Sequence, residues 1–259
     1  MTRALVTGAA RRVGRALALE LARRGLDVAI HFNRSEGEAA EVAEQVRALG
    51  RKACLVQADL LDEAATATLL PRASQALGGP ITCLVNNASI FEHDTLKTAT
   101  SESWDRHFGS NLRAPFVLIQ AMAAQELGHS TDAAGEPVAN GLVVNMIDQR
   151  VRKLTPEFMT YTLAKSALWT LTQTAAQALA PDIRVNAIGP GPTLAGVHQS
   201  AQGFARQRAS TVLKRGVNPD EIGAALGYFL SSPGVTGQLL CVDGGQHLGW
   251  QTPDVLDLE

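Results

Sequence analysis

The chain has little cysteine, no long apolar run and no excess of charge, and each absence excludes something. Its three cysteines, Cys54, Cys83 and Cys241, lie scattered in apolar runs without C-x-x-C spacing. That pattern is not a disulfide framework or a thiolate metal site, and it fits reduced core thiols in a cytoplasmic protein. No uninterrupted apolar run approaches the ~20 residues of a membrane-spanning helix, and no charged-then-apolar leader opens the sequence, so neither membrane insertion nor secretion is expected. Lys and Arg number 23 against 25 Asp and Glu, a formal net charge of -2, which leaves no global basic field for nucleic acid or an anionic membrane surface. No short period repeats, and no metal site is expected.

What is present is alternation. The 259 residues are 46% hydrophobic, enough for a sizeable core, and one domain over 1–259 is the simplest organisation. Short aliphatic or β-branched runs alternate with longer amphipathic ones. Ala4 to Val6 precedes a helix from about Val13 to Arg24, and Val28 to Phe32 precedes a helix near Glu36 to Leu49. The pattern continues through Ala53 to Gln57, a helix after Asp62, Ile81 to Val85, a long helix from about Glu102 to Glu126, Leu142 to Met146, a helix carrying Tyr161, and Ile183 to Ala187. Gly128 to Gly141 reads as a flexible loop. A helix from Pro219 to Leu230 and a last strand from Gln238 to Val242 follow, with little periodicity after His247. Such alternation predicts parallel strands joined by crossover helices.

The first turn, Thr7 to Gly14, opens a helix directly after a strand. Gly8 and Gly14 allow a backbone to approach a pyrophosphate, with Val13 beside it, and a helix N-terminus supplies free N–H groups and a positive dipole end. Arg12 stands where a middle glycine would complete the dinucleotide fingerprint. After the second strand, where an NAD site carries an acid, the chain reads His31-Phe32-Asn33-Arg34-Ser35. Arg12 and Arg34, from adjacent loops, would give a 2′-phosphate charge-assisted donors, so NADP is favoured over NAD. Asp59, after the third strand, fits an acceptor for the adenine amino group and equally a helix N-cap.

Tyr161 and Lys165 are four residues apart on an apolar helical pattern, so both project from one face. An ammonium beside a phenol lowers the phenol's pKa and makes it a usable proton donor.

Taken together, Thr7 to Gly14, Asn86-Asn87-Ala88, Asn111, Tyr161 to Lys165, Arg184-Val185-Asn186 and Pro190-Gly191 resemble the short-chain dehydrogenase/reductase family over nearly the whole chain. The resemblance implies a Rossmann-type doubly wound α/β sheet of about seven parallel strands. It also implies catalytic roles for Asn111, Tyr161 and Lys165, a hold by Lys165 on the nicotinamide ribose, and homo-oligomers, dimers or tetramers. Asn87 would line the cofactor cleft, bridge strands, or do both.

One departure is informative. Thirteen residues before the tyrosine, where most of the family carries serine, the chain has Asp148. An ionised aspartate is acceptor-only and repels an oxyanion, so a substrate with N–H groups is expected. With the Arg12-containing turn, His31 to Ser35, and Ser89-Ile90-Phe91, the chain is similar to the pteridine reductase branch. There the aromatic matching Phe91 stacks a pterin, the serine matching Ser89 touches cofactor and substrate, and the aspartate matching Asp148 works with the tyrosine. Thr193 to Ser210, the substrate loop, matches that branch only loosely. The expectation is an NADPH-dependent reductase of a pterin-like small molecule. The competing readings are a carbonyl or 3-oxoacyl reductase on the same fold and a non-catalytic NADP-binding sensor.

Overall fold

The computed structural model describes residues 1–196 and 199–252, so positions 197 and 198 of the substrate loop and the tail 253–259 lie outside the described residues. The first half of the chain runs β1 (Arg3–Val6), α1 (Arg12–Arg23), β2 (Asp27–Phe32), α2 (Glu36–Ala48), β3 (Ala53–Gln57), α3 (Glu63–Leu77), β4 (Cys83–Asn86), α4 (Ser101–Phe108) and α5 (Ala114–Ala123). It continues through β5 (His129–Thr131), β6 (Pro137–Ala139), β7 (Gly141–Met146), α6 (Met159–Ala178), β8 (Ile183–Pro190), α7 (Ala201–Ala209), α8 (Pro219–Ser231) and β9 (Leu239–Val242).

Seven strands form one sheet in the order β3-β2-β1-β4-β7-β8-β9, and every pairing in it is parallel. Parallel strands are covered on both faces, which explains why β7 reads Gly-Leu-Val-Val-Asn-Met with all six positions buried. One layer packs Leu17, Leu21, Val42, Ile222 and Phe229 of α1, α2 and α8 against one face. The other packs Leu69, Leu118, Met122 and Ala175 of α3, α5 and α6 against the opposite face. Strand order reverses between β1 and β4, and the carboxyl ends of strands at such a point form a binding crevice.

Three elements differ from the sequence pattern. The expected long helix from Glu102 to Glu126 is α4 and α5 joined by a π-helical turn, Gly109–Arg113. Apolar periodicity carries across a π turn without a visible break. The expected loop from Gly128 to Gly141 contains the antiparallel hairpin of β5 and β6, registered His129 to Ala139. Its turn is closed by Asp132, whose Oδ1 accepts from the backbone N–H groups of Ala134 and Glu136 at 2.8 and 2.9 Å. The substrate loop holds a further helix, α7, with no fully buried residue, so it lacked an apolar stripe to announce it.

Among the described residues no helix is long and apolar enough to cross a membrane. Burial raises the thiols of Cys54 and Cys241 to about 11 and that of Cys83 to about 12, which keeps all three protonated and unreactive at neutral pH.

Candidate active site

The carboxyl ends of β1, β4, β7 and β8 open into a cleft of about 320 Å3 whose walls include Arg12, Val13, Asn87, Ser89, Phe91, Asp148, Gln149, Tyr161, Lys165, Pro190 and Gly191. Residues far apart in sequence thus share one space because parallel strands deliver all their carboxyl ends to the same edge. The remaining expected positions, Gly8, Gly14, His31, Arg34, Ser35, Asp59, Ala88 and Asn111, do not line it.

The glycine turn is a tight piece of engineering around Asn87. Gly8 has φ +62°, and a Cβ on Gly14 would lie 2.1 Å from the Gly8 carbonyl oxygen, so α1 can approach β1 only with glycine there. Asn87 Nδ2 donates to the carbonyls of Thr7 and Gly8 at 2.8 and 3.3 Å, while Thr7 Oγ1 accepts from the N–H groups of Asn87 and Ala88 at 2.9 and 3.0 Å. Asn87 therefore bridges β1 and β4 and also lines the cleft. At the start of α1 there is no side-chain cap and no acidic residue in the first turn, which leaves N–H groups and the positive dipole end for an anion.

His31 is placed beneath this turn rather than beside a phosphate. It is 2% exposed; Nδ1 accepts from Gly8 N at 3.0 Å and Nε2 donates to Ala58 O at 3.2 Å. Burial lowers its pKa to about 4, so the ring is neutral and braces the glycine turn. Arg12, at φ +53°, donates to the carbonyls of Ala195 and Leu194 at 2.9 and 3.1 Å, tying the substrate loop to the turn. Arg34 is exposed and Ser35 half-buried, at the entry to α2 with no side-chain capping bond. Asp59 folds onto its own loop, accepting from Leu61 N at 3.0 Å; the cap of α3 is Asp62. At the far wall Gly191 N donates to Val242 O at 3.0 Å, and Pro190 ends β8.

The chemical end centres on a pair, the buried Tyr161 and the half-buried Asp148. The Tyr161 hydroxyl donates to Asp148 Oδ2 at 3.0 Å, and Asp148 Oδ1 accepts from Arg150 N at 2.8 Å. Desolvation raises the Asp148 carboxyl above its ordinary value, against the pull of Arg150, Tyr161 and Lys165. The Tyr161 phenol is also raised, by desolvation first and then by the Asp148 charge and hydrogen bond. That reverses the expected depression by Lys165. The reason is geometric: Lys165 Nζ turns to the Met146 carbonyl at 2.7 Å and lies 5.7 Å from the Tyr161 ring centroid. Desolvation lowers Lys165 itself to about 8. Asn111, wholly buried in the π turn, accepts from Ile90 N at 2.9 Å and donates to Ile90 O at 2.8 Å. It clamps the loop after β4 that presents Ser89 and Phe91.

Phe91 is half exposed. It stacks on Phe158 with centroids 4.3 Å apart and planes 5° off parallel, and meets Tyr161 edge-on at 4.7 Å. Ser89 is exposed and its hydroxyl donates to Ile90 O at 3.3 Å. Several contributors were not read from the sequence. Phe158 takes φ +57° just before α6, an uncommon conformation for a bulky residue, and the Arg150 guanidinium lies 4.7 Å from its ring centroid. Asp94 caps α6 from a distance: its carbonyl accepts from Phe158 N at 2.7 Å and its Oδ1 from Thr160 N at 3.2 Å. Thr160 in turn meets His107 Nδ1 at 2.7 Å. No local spacing encodes these contacts. Gln149, directly after Asp148, carries no motif that singles it out.

A parallel sheet with this order, an uncapped helix at a glycine turn and a Tyr161–Lys165 helix at the strand ends defines a nucleotide-fold oxidoreductase. A family model described as enoyl-(acyl carrier protein) reductase matches residues 8–247, and an uncharacterised oxidoreductase of Mycobacterium tuberculosis is 36% identical over 250 residues, covering 93% of this chain and 90% of its own. The chain belongs to the short-chain dehydrogenase/reductase family. A 3-oxoacyl-[acyl-carrier-protein] reductase, FabG, of Staphylococcus epidermidis is 28% identical, covering 95% of this chain and 98% of its own. Among solved structures, FolM alternative dihydrofolate reductase 1 from Brucella canis, complexed with NADP, superposes with TM-score 0.90 at 46% identity over 98% of this chain and 97% of that one. The Brucella suis counterpart, also with NADP, gives 0.89 at 47% identity, covering 98% of each chain.

Proposed function

We propose that the chain is an NADPH-dependent reductase of a dihydropterin or a related pteridine, acting on a ring C=N bond. The observation that carries it is the half-buried Asp148 carboxyl hydrogen-bonded to the Tyr161 hydroxyl. The likeness to dihydrofolate reductases of the FolM type supports the same substrate class.

NADPH supplies the hydride when bound. The start of α1, the glycine turn and Asn87 would hold its pyrophosphate, with Val13 and Ala88 alongside. Arg12 and Arg34 would hold the 2′-phosphate, with Ser35 beside it, and Asp59 would face the adenine. Pro190, Gly191 and Lys165 would hold the nicotinamide end. On the substrate side, Phe91 offers a flat apolar wall and Ser89 a hydroxyl at its edge. Tyr161 gives its proton to the ring nitrogen whose carbon partner is reduced, and Asp148, which retains a proton above the ordinary carboxyl range, restores it. Asn111 keeps the Ser89–Phe91 wall in register, and Lys165 holds the end of β7 against α6.

The 28% identity to a 3-oxoacyl reductase favours a second reading, reduction of a carbonyl. A carboxyl beside the tyrosine weighs against it, because once Asp148 has passed its proton to Tyr161 it is an acceptor-only carboxylate that opposes an oxyanion developing there. A panel of dihydrobiopterin, dihydrofolate, a quinone and an acetoacetyl thioester, followed by NADPH absorbance, separates the readings. Turnover of the dihydropterins is expected. Efficient turnover of the thioester alone would favour the second reading, and turnover of nothing would favour a sensor.

A further inference from the structure

We propose that the Gln149 carboxamide reads the substrate ring, pairing its oxygen with an N–H and its amide N–H with an acceptor on the edge of a flat nitrogen heterocycle. The inference rests on the pteridine reading and adds to it a specificity-determining residue.

Gln149 follows Asp148 on a short 3-10 turn, Gln149–Val151, immediately beyond β7. Gln149 is among the residues that line the cleft, yet it is only 6% exposed, and its Oε1 is buried without a hydrogen-bond partner among the described residues. A carboxamide oxygen removed from water and left unpaired opposes folding, so its position makes sense when a ligand supplies the partner. Several other polar side chains of the cleft already have partners. Arg12 donates to the Leu194 and Ala195 carbonyls with further N–H groups left for a phosphate, and Arg150 donates to Thr155 and lies over the Phe158 ring. Gln199 at the rim donates to Gln207 at 2.9 Å. Asp148 serves Tyr161 and Arg150 N.

The chemistry of a carboxamide fits one class of ligand. It is planar, with one acceptor and one donor side by side, and it forms a two-point pair with a cyclic amide or amino-imine edge such as a pteridine presents. A simple ketone or quinone offers acceptors only and leaves Oε1 unpaired. A site whose buried acceptor is satisfied by one substrate and stranded by another discriminates between them strongly.

Gln149→Met keeps the volume and removes the pair. The expected result is a rise of roughly tenfold or more in KM for dihydrofolate or dihydrobiopterin and in the Kd of the same compound for the NADP-bound enzyme. The Kd for NADPH should stay within about twofold, and thermal stability should hold or rise because the unpaired oxygen is gone. A merely structural glutamine would instead lower the melting temperature and harm all substrates alike. Unchanged dihydropterin KM and Kd in Gln149→Met, with a wild type that binds dihydropterins, would overturn the Gln149 role alone. A wild type that binds no dihydropterin in the same assay would overturn the pteridine reading and this role with it.

Discussion

Tyr161, Lys165 and Asp148 show how far spacing can be read at the scale of single residues. The four-residue separation placed the phenol and the ammonium on one face, as expected. What it could not show was where each polar end points. Lys165 reaches the Met146 carbonyl, and Asp148, from another strand, takes the phenol, so the phenol's shift has the opposite sign. His31 illustrates the same limit: an imidazole next to the cofactor turn reads as a ligand until both its nitrogens are seen to be taken. Two predictions belong here. Desolvation raises Asp148 above the ordinary carboxyl range and lowers Lys165 to about 8, so Asp148 gives up its proton later than a free carboxyl and Lys165 earlier than a free ammonium. Asp148 must be protonated to resupply Tyr161, so kcat/KM for a dihydropterin should be highest while the raised Asp148 carboxyl keeps its proton and should fall as pH rises through its titration. In Asp148→Asn, which does not titrate, the lower limb of that fall should vanish and leave only a fall near the Lys165 value; a profile unchanged by the substitution contradicts the role. Arg34→Ala should weaken NADPH by about 1.5–3 kcal/mol, roughly ten- to a hundredfold, and leave NADH nearly unchanged. Equal losses in the two dissociation constants would refute the phosphate assignment.

At the scale of elements, the long-range caps matter more than local propensity. Helix α6 begins at a left-handed Phe158 with no side-chain cap of its own. Asp94, in the loop before α4, supplies the missing acceptors to Phe158 and Thr160. A carboxylate at a helix N-terminus also favours the macrodipole, and this one fixes the first turn of α6, which carries Tyr161, from the loop that also carries Phe91. Strands and helices were legible because their apolar periods are strong. The π turn and this cap were not, since neither alters periodicity. Asp94→Asn keeps the shape but loses the charge, so it should cost about 1–2 kcal/mol of stability and lower kcat through a displaced Tyr161. Thermal melts and kinetics on one preparation check both, and a variant with unchanged melting temperature and turnover would remove Asp94 from the account.

At the scale of the whole molecule, the alternation of strand and helix dictated a parallel sheet, and the sheet order 3-2-1-4-7-8-9 determines why residues from Gly8 to Gly191 meet. The site's outline was therefore readable from motifs that lie at strand ends. Its selectivity was not, because it depends on which buried groups stay unpaired. The account's central claim is that Asp148 makes this a pteridine rather than a ketone reductase. The most direct test compares kcat/KM for a dihydropterin and for a simple ketone in wild type and Asp148→Ser. The account predicts a change of opposite sign: the dihydropterin activity falls, while activity on the ketone holds or rises because serine can donate to the oxyanion that aspartate repels. A wild type that ignores dihydropterins yet reduces the ketone efficiently, with Asp148→Ser changing nothing, would contradict it.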